Sequence, residues 1–202
     1  VKILAVTKKK SIDIIEVSYD LGFRDFGENY VDEFVEKQIH FQKKSIDRCD
    51  IIWHFIGQLQ SRKIKQIVSK SSLIHSIDRI SQIEELQKRC LQNQVKQSIL
   101  IQVNTDKEES KAGVFPEGLA EFLDQIQGFS EITIKGLMCM PPIGVTEKQS
   151  RGSFAKLYQL SQSHQERLTD RHNLSQLSMG TSGDYENAIL EGATIVRLGT
   201  VL

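Results

Sequence analysis

Short apolar runs alternate with amphipathic stretches along the whole chain. Val1–Val6 is apolar and rich in β-branched residues, the pattern of a buried strand. Ile12, Ile15 and Tyr19 then recur at helical spacing, with Ser11 as N-cap and Gly22 closing the helix. Phe23–Gly27 is short and strand-like, and Tyr30–Phe41 carries Val31, Phe34, Val35 and Gln38 on one helical stripe. The run 51–57 predicts a third strand, and Ser61–Val68 a basic helix. Leu73–Ile77 predicts a strand and Ile80–Gln94 a helix with Ile83, Leu86 and Cys90 turned inward. Strands at Ser98–Val103 and Ile132–Met138 flank a helix at Glu117–Ile126. A long helix over Lys148–Thr169, a strand at Gln176–Met179, a helix at Tyr185–Glu191 and a strand at Thr194–Leu198 complete the series.

Eight strands with seven helices between them, in strict alternation, predict parallel pairing with both sheet faces covered. The expected fold class is α/β, a single (β/α)8 TIM-type barrel over residues 1–202 without terminal helices. This is compact against the ~250 residues typical of the fold. An open doubly wound sheet is the alternative. It usually has fewer strands per domain and often a glycine-rich first turn. The first turn here, Thr7-Lys8-Lys9-Lys10-Ser11, has no glycine.

Composition narrows the function classes. Lys+Arg and Asp+Glu are both 26, so the net charge is zero, which argues against a general nucleic-acid or anionic-membrane binder. No apolar run approaches the ~20 residues of a membrane span. Cys49, Cys90 and Cys139 are widely spaced and odd in number, which suggests reduced thiols in a cytoplasmic protein. No signal peptide is visible, and no obviously apolar exposed helix suggests an oligomer, so a monomer is expected.

A barrel keeps its chemistry at the C-terminal ends of its strands. The first strand ends at Lys8, whose amine can condense with an aldehyde. The seventh ends in Gly180-Thr181-Ser182-Gly183 and the eighth in Gly199-Thr200. Hydroxyls and exposed backbone N–H groups at these two turns make a phosphate cup. The plainer reading is a pair of capping turns. Asp184 beside the cup weakens the phosphate case unless its side chain caps the helix and points away. If residues 195, 197 and 199 point inward, Arg197 enters the upper lumen, beside a ligand or in a salt bridge with an interior acid. His54 and His75 read as packed, hydrogen-bonded core histidines, and Met138 and Met140 as gap-filling sulfur. A lysine imine plus a phosphate cup is the minimal description of a pyridoxal 5′-phosphate site.

Several segments also resemble the pyridoxal phosphate homeostasis protein family. They are Leu4-Ala5-Val6-Thr7-Lys8, Phe26-Gly27-Glu28-Asn29-Tyr30, the run 53–61 from Trp53 to Ser61, His75-Ser76-Ile77-Asp78, Lys111-Ala112-Gly113, Leu177-Ser178-Met179-Gly180 and Val196-Arg197-Leu198-Gly199-Thr200. The resemblance spans essentially the whole chain. It implies a barrel similar to the N-terminal domain of alanine racemase, with Lys8 as the cofactor lysine. Ser182, Gly199 and Thr200 would hold the phosphate, Arg197 would face the pyridine nitrogen, and Asn29 and Met179 would line the ring. Such proteins are thought to buffer the cofactor and supply it to pyridoxal phosphate-dependent apoenzymes, and are not known for robust catalysis.

The sequence departs from the family pattern after the lysine and in the seventh turn, where Thr181-Ser182-Gly183-Asp184 stands. The alternative is an amino-acid racemase. Racemisation in the similar barrel needs a tyrosine from a second, β-rich domain, and this chain is one barrel long. An aldolase-type imine enzyme is a third reading, disfavoured by the position of Lys8 and the lack of an inward acid pair.

Overall fold

The computed structural model describes residues 1–43, 50–142 and 144–200. Its strands are β1 (Lys2–Val6), β2 (Asp25–Glu28), β3 (Ile52–Phe55), β4 (Leu73–Ile77), β5 (Gln97–Gln102), β6 (Ile132–Met138), β7 (Gln176–Thr181) and β8 (Ile195–Leu198). All pair in parallel, in sequence order, and the sheet closes where Lys2 to Ala5 of β1 run alongside Ile195 to Leu198 of β8. The connections carry α1 (Ile12–Asp20), α2 (Val31–Lys43), α3 (Ile80–Asn93), α4 (Leu119–Ile126), α5 (Glu147–His164) and α6 (Tyr185–Leu190). Closure excludes the open doubly wound sheet.

Three helical expectations need correction. Ser61–Val68 is not an α-helix but a short 3-10 helix over Ser61–Gln66. Its lysines favour helix, but the segment must turn back to β4 within a few residues, and the tighter winding does so. The helix expected to start at Glu117 opens as a 3-10 turn over Pro116–Gly118 and becomes α-helical at Leu119. The long helix ends at His164, and its expected last turn is a 3-10 segment over Gln165–Arg167. Ser11 holds the N-cap position of α1 without a side-chain cap bond. Cys49 lies outside the described residues, while Cys90 and Cys139 are free and buried. Among the described residues, no helix is long and apolar enough to cross a membrane.

Strand alternation divides the interior in two. The larger core lies between barrel and helices and includes Phe26, Phe34, Trp53, Phe55, Ile74, Ile99, Leu137 and Phe154. The lumen holds a smaller cluster of Leu4, Ile56, Leu73, Leu100, Met138 and Ile195. Because residues of one parity on each strand face this narrow lumen, any polar residue of that parity must find its partners there.

A buried ion pair secures the C-terminal end of β1. Glu28 and Lys37 are 0% and 5% exposed. Lys37 Nζ donates to Glu28 Oε1 at 2.7 Å and to the Thr7 carbonyl at 2.7 Å. Thr7 Oγ1 donates to the same Glu28 oxygen at 2.5 Å. Burial pushes the Glu28 carboxyl up, against the opposing pull of Lys37 and Thr7. The group therefore joins β1, β2 and α2 one residue before Lys8. Removing one partner leaves an uncompensated buried charge, so Lys37→Met should cost about 3–5 kcal/mol in urea unfolding. Adding Glu28→Leu to it should restore most of that loss; a single variant as stable as the parent would show that the pair is not structural.

Candidate cofactor site at the barrel mouth

One cavity of about 480 Å³ opens at the C-terminal end of the barrel. Lys8, Asn29, Ser182, Arg197, Gly199 and Thr200 all line it. They come from the ends of β1, β2, β7 and β8, far apart in sequence and joined only by closure of the sheet. Val6, Ile56 and Met140 form its apolar wall, and Lys10 also reaches it. Met179 does not line the cavity: it is fully buried in the layer between barrel and helices. Ser178 faces the lumen, and the period of two turns the next residue outward.

Lys8 is exposed at the mouth and makes no ion pair or hydrogen bond with any described residue. The turn after it is held by the Lys9 N–H, which donates to Glu33 Oε2 at 2.7 Å. Lys9 adopts a positive φ of 58°, which lets the chain reverse within one residue.

The seventh and eighth turns meet at Ser182. Its Oγ accepts the backbone N–H groups of Gly199 and Thr200, both at 3.2 Å. A hydroxyl that accepts two bonds still has its own proton to donate. Asp184 does not cap α6. Its Oδ1 accepts the Thr181 N–H at 2.6 Å and the Thr181 hydroxyl at 3.0 Å, so the carboxylate is engaged within its own turn. Gly180 at φ 88° makes this turn possible: a Cβ there would lie 2.5 Å from that of Ala188.

Asn29 is held against Gly57, where a Cβ would sit 1.9 Å from the Asn29 carbonyl oxygen. Its side-chain Oδ1 is buried and has no hydrogen-bond partner among the described residues.

Arg197 is 5% exposed. The interior salt bridge weighed for it is absent among the described residues. Instead Nη1 donates to the Ser178 carbonyl and to Ser178 Oγ, both at 2.7 Å, and Nη2 to the Cys139 carbonyl at 2.9 Å. Burial lowers its pKa, opposed by the nearby Cys139 and Asp184. Cys139 is itself packed, its thiol pushed up to about 12 by burial, so it serves the site through its carbonyl. His54 and His75 are buried and hydrogen-bonded in the lumen, and Met138 packs in the lumen cluster.

Two contributors escaped the sequence reading, the Glu28–Lys37 pair and Ser178. Each carried a weak local signal, a charge or hydroxyl inside an apolar run, but its partner lies on another element.

Comparison with known proteins agrees with this fold. Residues 1–202 match the family described as alanine racemase, N-terminal domain. The pyridoxal phosphate homeostasis protein of Aquifex aeolicus (strain VF5) is 40% identical over 203 residues, covering 100% of this chain and 85% of that protein. The chain belongs to the pyridoxal phosphate homeostasis protein family. Within that family, PipY of Synechococcus elongatus PCC7942, solved with PLP bound, is 32% identical with a TM-score of 0.89, over 99% of this chain and 91% of that one. An alanine racemase from Clostridium difficile 630 is 10% identical with a TM-score of 0.76, a likeness of fold alone, over 100% of this chain and 51% of that one.

Gly57→Ala should force Asn29 away from the mouth, because the obstructing atom is backbone and cannot rotate aside. A loss of about 1–3 kcal/mol is expected in thermal unfolding. An unchanged melting temperature would show that the Asn29 segment yields freely.

Proposed function

We propose that this chain binds pyridoxal 5′-phosphate in the barrel mouth and serves its homeostasis, buffering it and delivering it to apoenzymes that use it. The observation that carries this reading is that one cavity combines an unpaired primary amine, a hydroxyl–backbone cup and a buried guanidinium. When bound, the cofactor supplies an aldehyde that condenses reversibly with a primary amine. Lys8 is the amine in position to tether it. Ser182, with the backbone of Gly199 and Thr200, fits the phosphate, since the hydroxyl has a proton to donate. Arg197 fits the ring nitrogen as a fixed cation. Asn29, with an orphaned buried oxygen, fits a donor on the ring's rim. The relatives' names and PipY's bound PLP support the same reading.

Holding is favoured over turnover. Racemisation needs a second proton-transfer group facing the lysine across the ring. Among the described residues, the titratable side chains lining the cavity are Lys8, Lys10 and Arg197. None is a tyrosine or histidine, and Arg197 is committed to Ser178 and Cys139. The proposed role is that of a cytoplasmic monomeric carrier, in keeping with the free, buried thiols of Cys90 and Cys139 for the compartment.

The protein should be yellow with pyridoxal 5′-phosphate, and the visible band should vanish in Lys8→Ala while far-UV circular dichroism is retained. Ser182→Ala should keep the band but release the cofactor roughly ten- to a hundredfold more readily, as expected for a lost hydrogen bond to a charged group of about 1.5–3 kcal/mol. A parent protein that takes up no cofactor would refute the carrier reading. Amino-acid racemisation well above buffer controls would replace it with the enzyme reading.

A further inference from the structure

A continuous chain of side-chain hydrogen bonds crosses the lumen beneath Arg197. Arg197 Nη1 meets Ser178 Oγ at 2.7 Å, Ser178 Oγ meets His75 Nδ1 at 2.9 Å, and His75 Nε2 meets His54 Nδ1 at 3.0 Å. His54 Nε2 then meets Asp25 Oδ1 at 2.9 Å, near the opposite end of the barrel, where Lys2 Nζ lies 2.7 Å from the same oxygen. Arg197, Ser178, His75 and His54 are 5%, 0%, 0% and 3% exposed, in that order. Five strands contribute: β8, β7, β4, β3 and β2.

With both rings neutral, the two ends set the direction of every bond. A guanidinium only donates, so Ser178 Oγ accepts from Arg197 and keeps its own proton for His75 Nδ1. That nitrogen is then an acceptor, and the His75 proton sits on Nε2. It points at His54 Nδ1, which must also accept, so the His54 proton sits on Nε2 and is donated to Asp25. The Asp25 carboxylate only accepts. Burial works against its charge, but hydrogen bonds from His54 and Lys2 hold its pKa below the ordinary value. For neutral rings this is the one pair of tautomers that satisfies every neighbour.

We propose that Ser178, His75 and His54 are positioning residues for Arg197, and that a proton added to the imidazole pair breaks this chain and weakens the hold of Arg197 on the ring of a bound pyridoxal-type ligand. The proposal rests on the carrier reading of the mouth. An extra proton places two N–H groups against each other between the rings, or drives an N–H at Ser178. Ser178 then loses the acceptor for its own proton, and its hydroxyl can no longer accept from Arg197 undisturbed. The Ser178 and Cys139 carbonyls still hold Arg197, so the expected outcome is weakening and not release. The charges facing the pair are Lys2 from β1, Asp25 from β2, Lys135 from β6 and Arg197 from β8, with Asp184 and Cys139 near the guanidinium. Burial, then His54, Arg197 and Lys2, push His75 well below the usual imidazole range, so the chain stays intact near neutral pH.

Two measurements on the full chain test this. Long-range proton–nitrogen spectra of the cofactor-free protein at pH 7.5 should show His54 and His75 both neutral and protonated at Nε2, assigned with His54→Gln and His75→Gln. A proton on Nδ1 of either ring, or a cationic ring, overturns the chain. The second measurement uses pyridoxal 5′-phosphate and pyridoxine 5′-phosphate, the latter having ring and phosphate but no aldehyde. Ser178→Ala and His75→Gln should bind both at least tenfold more weakly than the parent at pH 7.5. The parent-to-variant ratio should shrink toward one as the pH falls through the point where the same spectra show the imidazole pair taking up a proton, and taking the ratio cancels the ligand's own titration. A ratio of one at pH 7.5, or a ratio unchanged across that protonation, overturns the positioning role. If His75→Gln fails to fold, the Ser178→Ala ratio alone decides. No binding of either ligand by the parent overturns the carrier reading, and the spectra separate that failure from a failure of the chain.

Discussion

A guanidinium enclosed in a closed barrel must be satisfied by the barrel itself. Water cannot reach it freely, and no side-chain anion among the described residues pairs with Arg197. The structure meets this demand with two backbone carbonyls and one serine hydroxyl, on the neighbouring β7 and just beyond β6. Hydrogen bonds to a charged group are worth about 1.5–3 kcal/mol each, and losing any of them would leave part of a cation desolvated. The geometry of the mouth follows from this. Arg197 stays committed below, and the residues around it present the free amine, the hydroxyl and the glycine backbone above.

The two ends of the chain dispose of charge differently. Glu28 and Lys37 are buried as a pair beside β1, where a mutual contact and the Thr7 carbonyl and hydroxyl absorb the cost. Such a pair adds little net stability over an apolar contact, but it fixes the relative positions of three elements. Arg197, by contrast, remains a single positive charge. A neutralised arginine would interact weakly with an electron-rich ring nitrogen, whereas one held by neutral acceptors keeps its charge available to a ligand. Asp184, the carboxylate whose charge acts on Arg197 through space, is occupied by Thr181.

On the carrier reading, this arrangement suits retention better than turnover: the cavity presents the Lys8 and Lys10 amines and the Ser182 hydroxyl, and its described lining holds no tyrosine, histidine or carboxylate.

Local patterning determined most of the fold and the positions of the strand ends. Apolar runs of four to seven residues separated by amphipathic stretches allow little besides parallel strands with covering helices, so eight strands and the placement of Lys8, Ser182, Gly199 and Thr200 at one mouth were legible. Boundaries failed where propensity competed with closure, as at Ser61–Gln66, where helix-favouring lysines wind into a 3-10 turn. Met179 was misplaced because the family resemblance names a residue near the ring without deciding which side of β7 it occupies; parity, set by Ser178, turns it outward. Only the tertiary structure decided the interior. His75 and Ser178 are separated by 103 residues and Arg197 and Cys139 by 58. Which lumen residues meet depends on the stagger between strands, and shifting any one by two residues preserves the apolar pattern while changing every polar partner. Alternation along the chain reports which way a side chain points; only closure of the barrel reports what it points at.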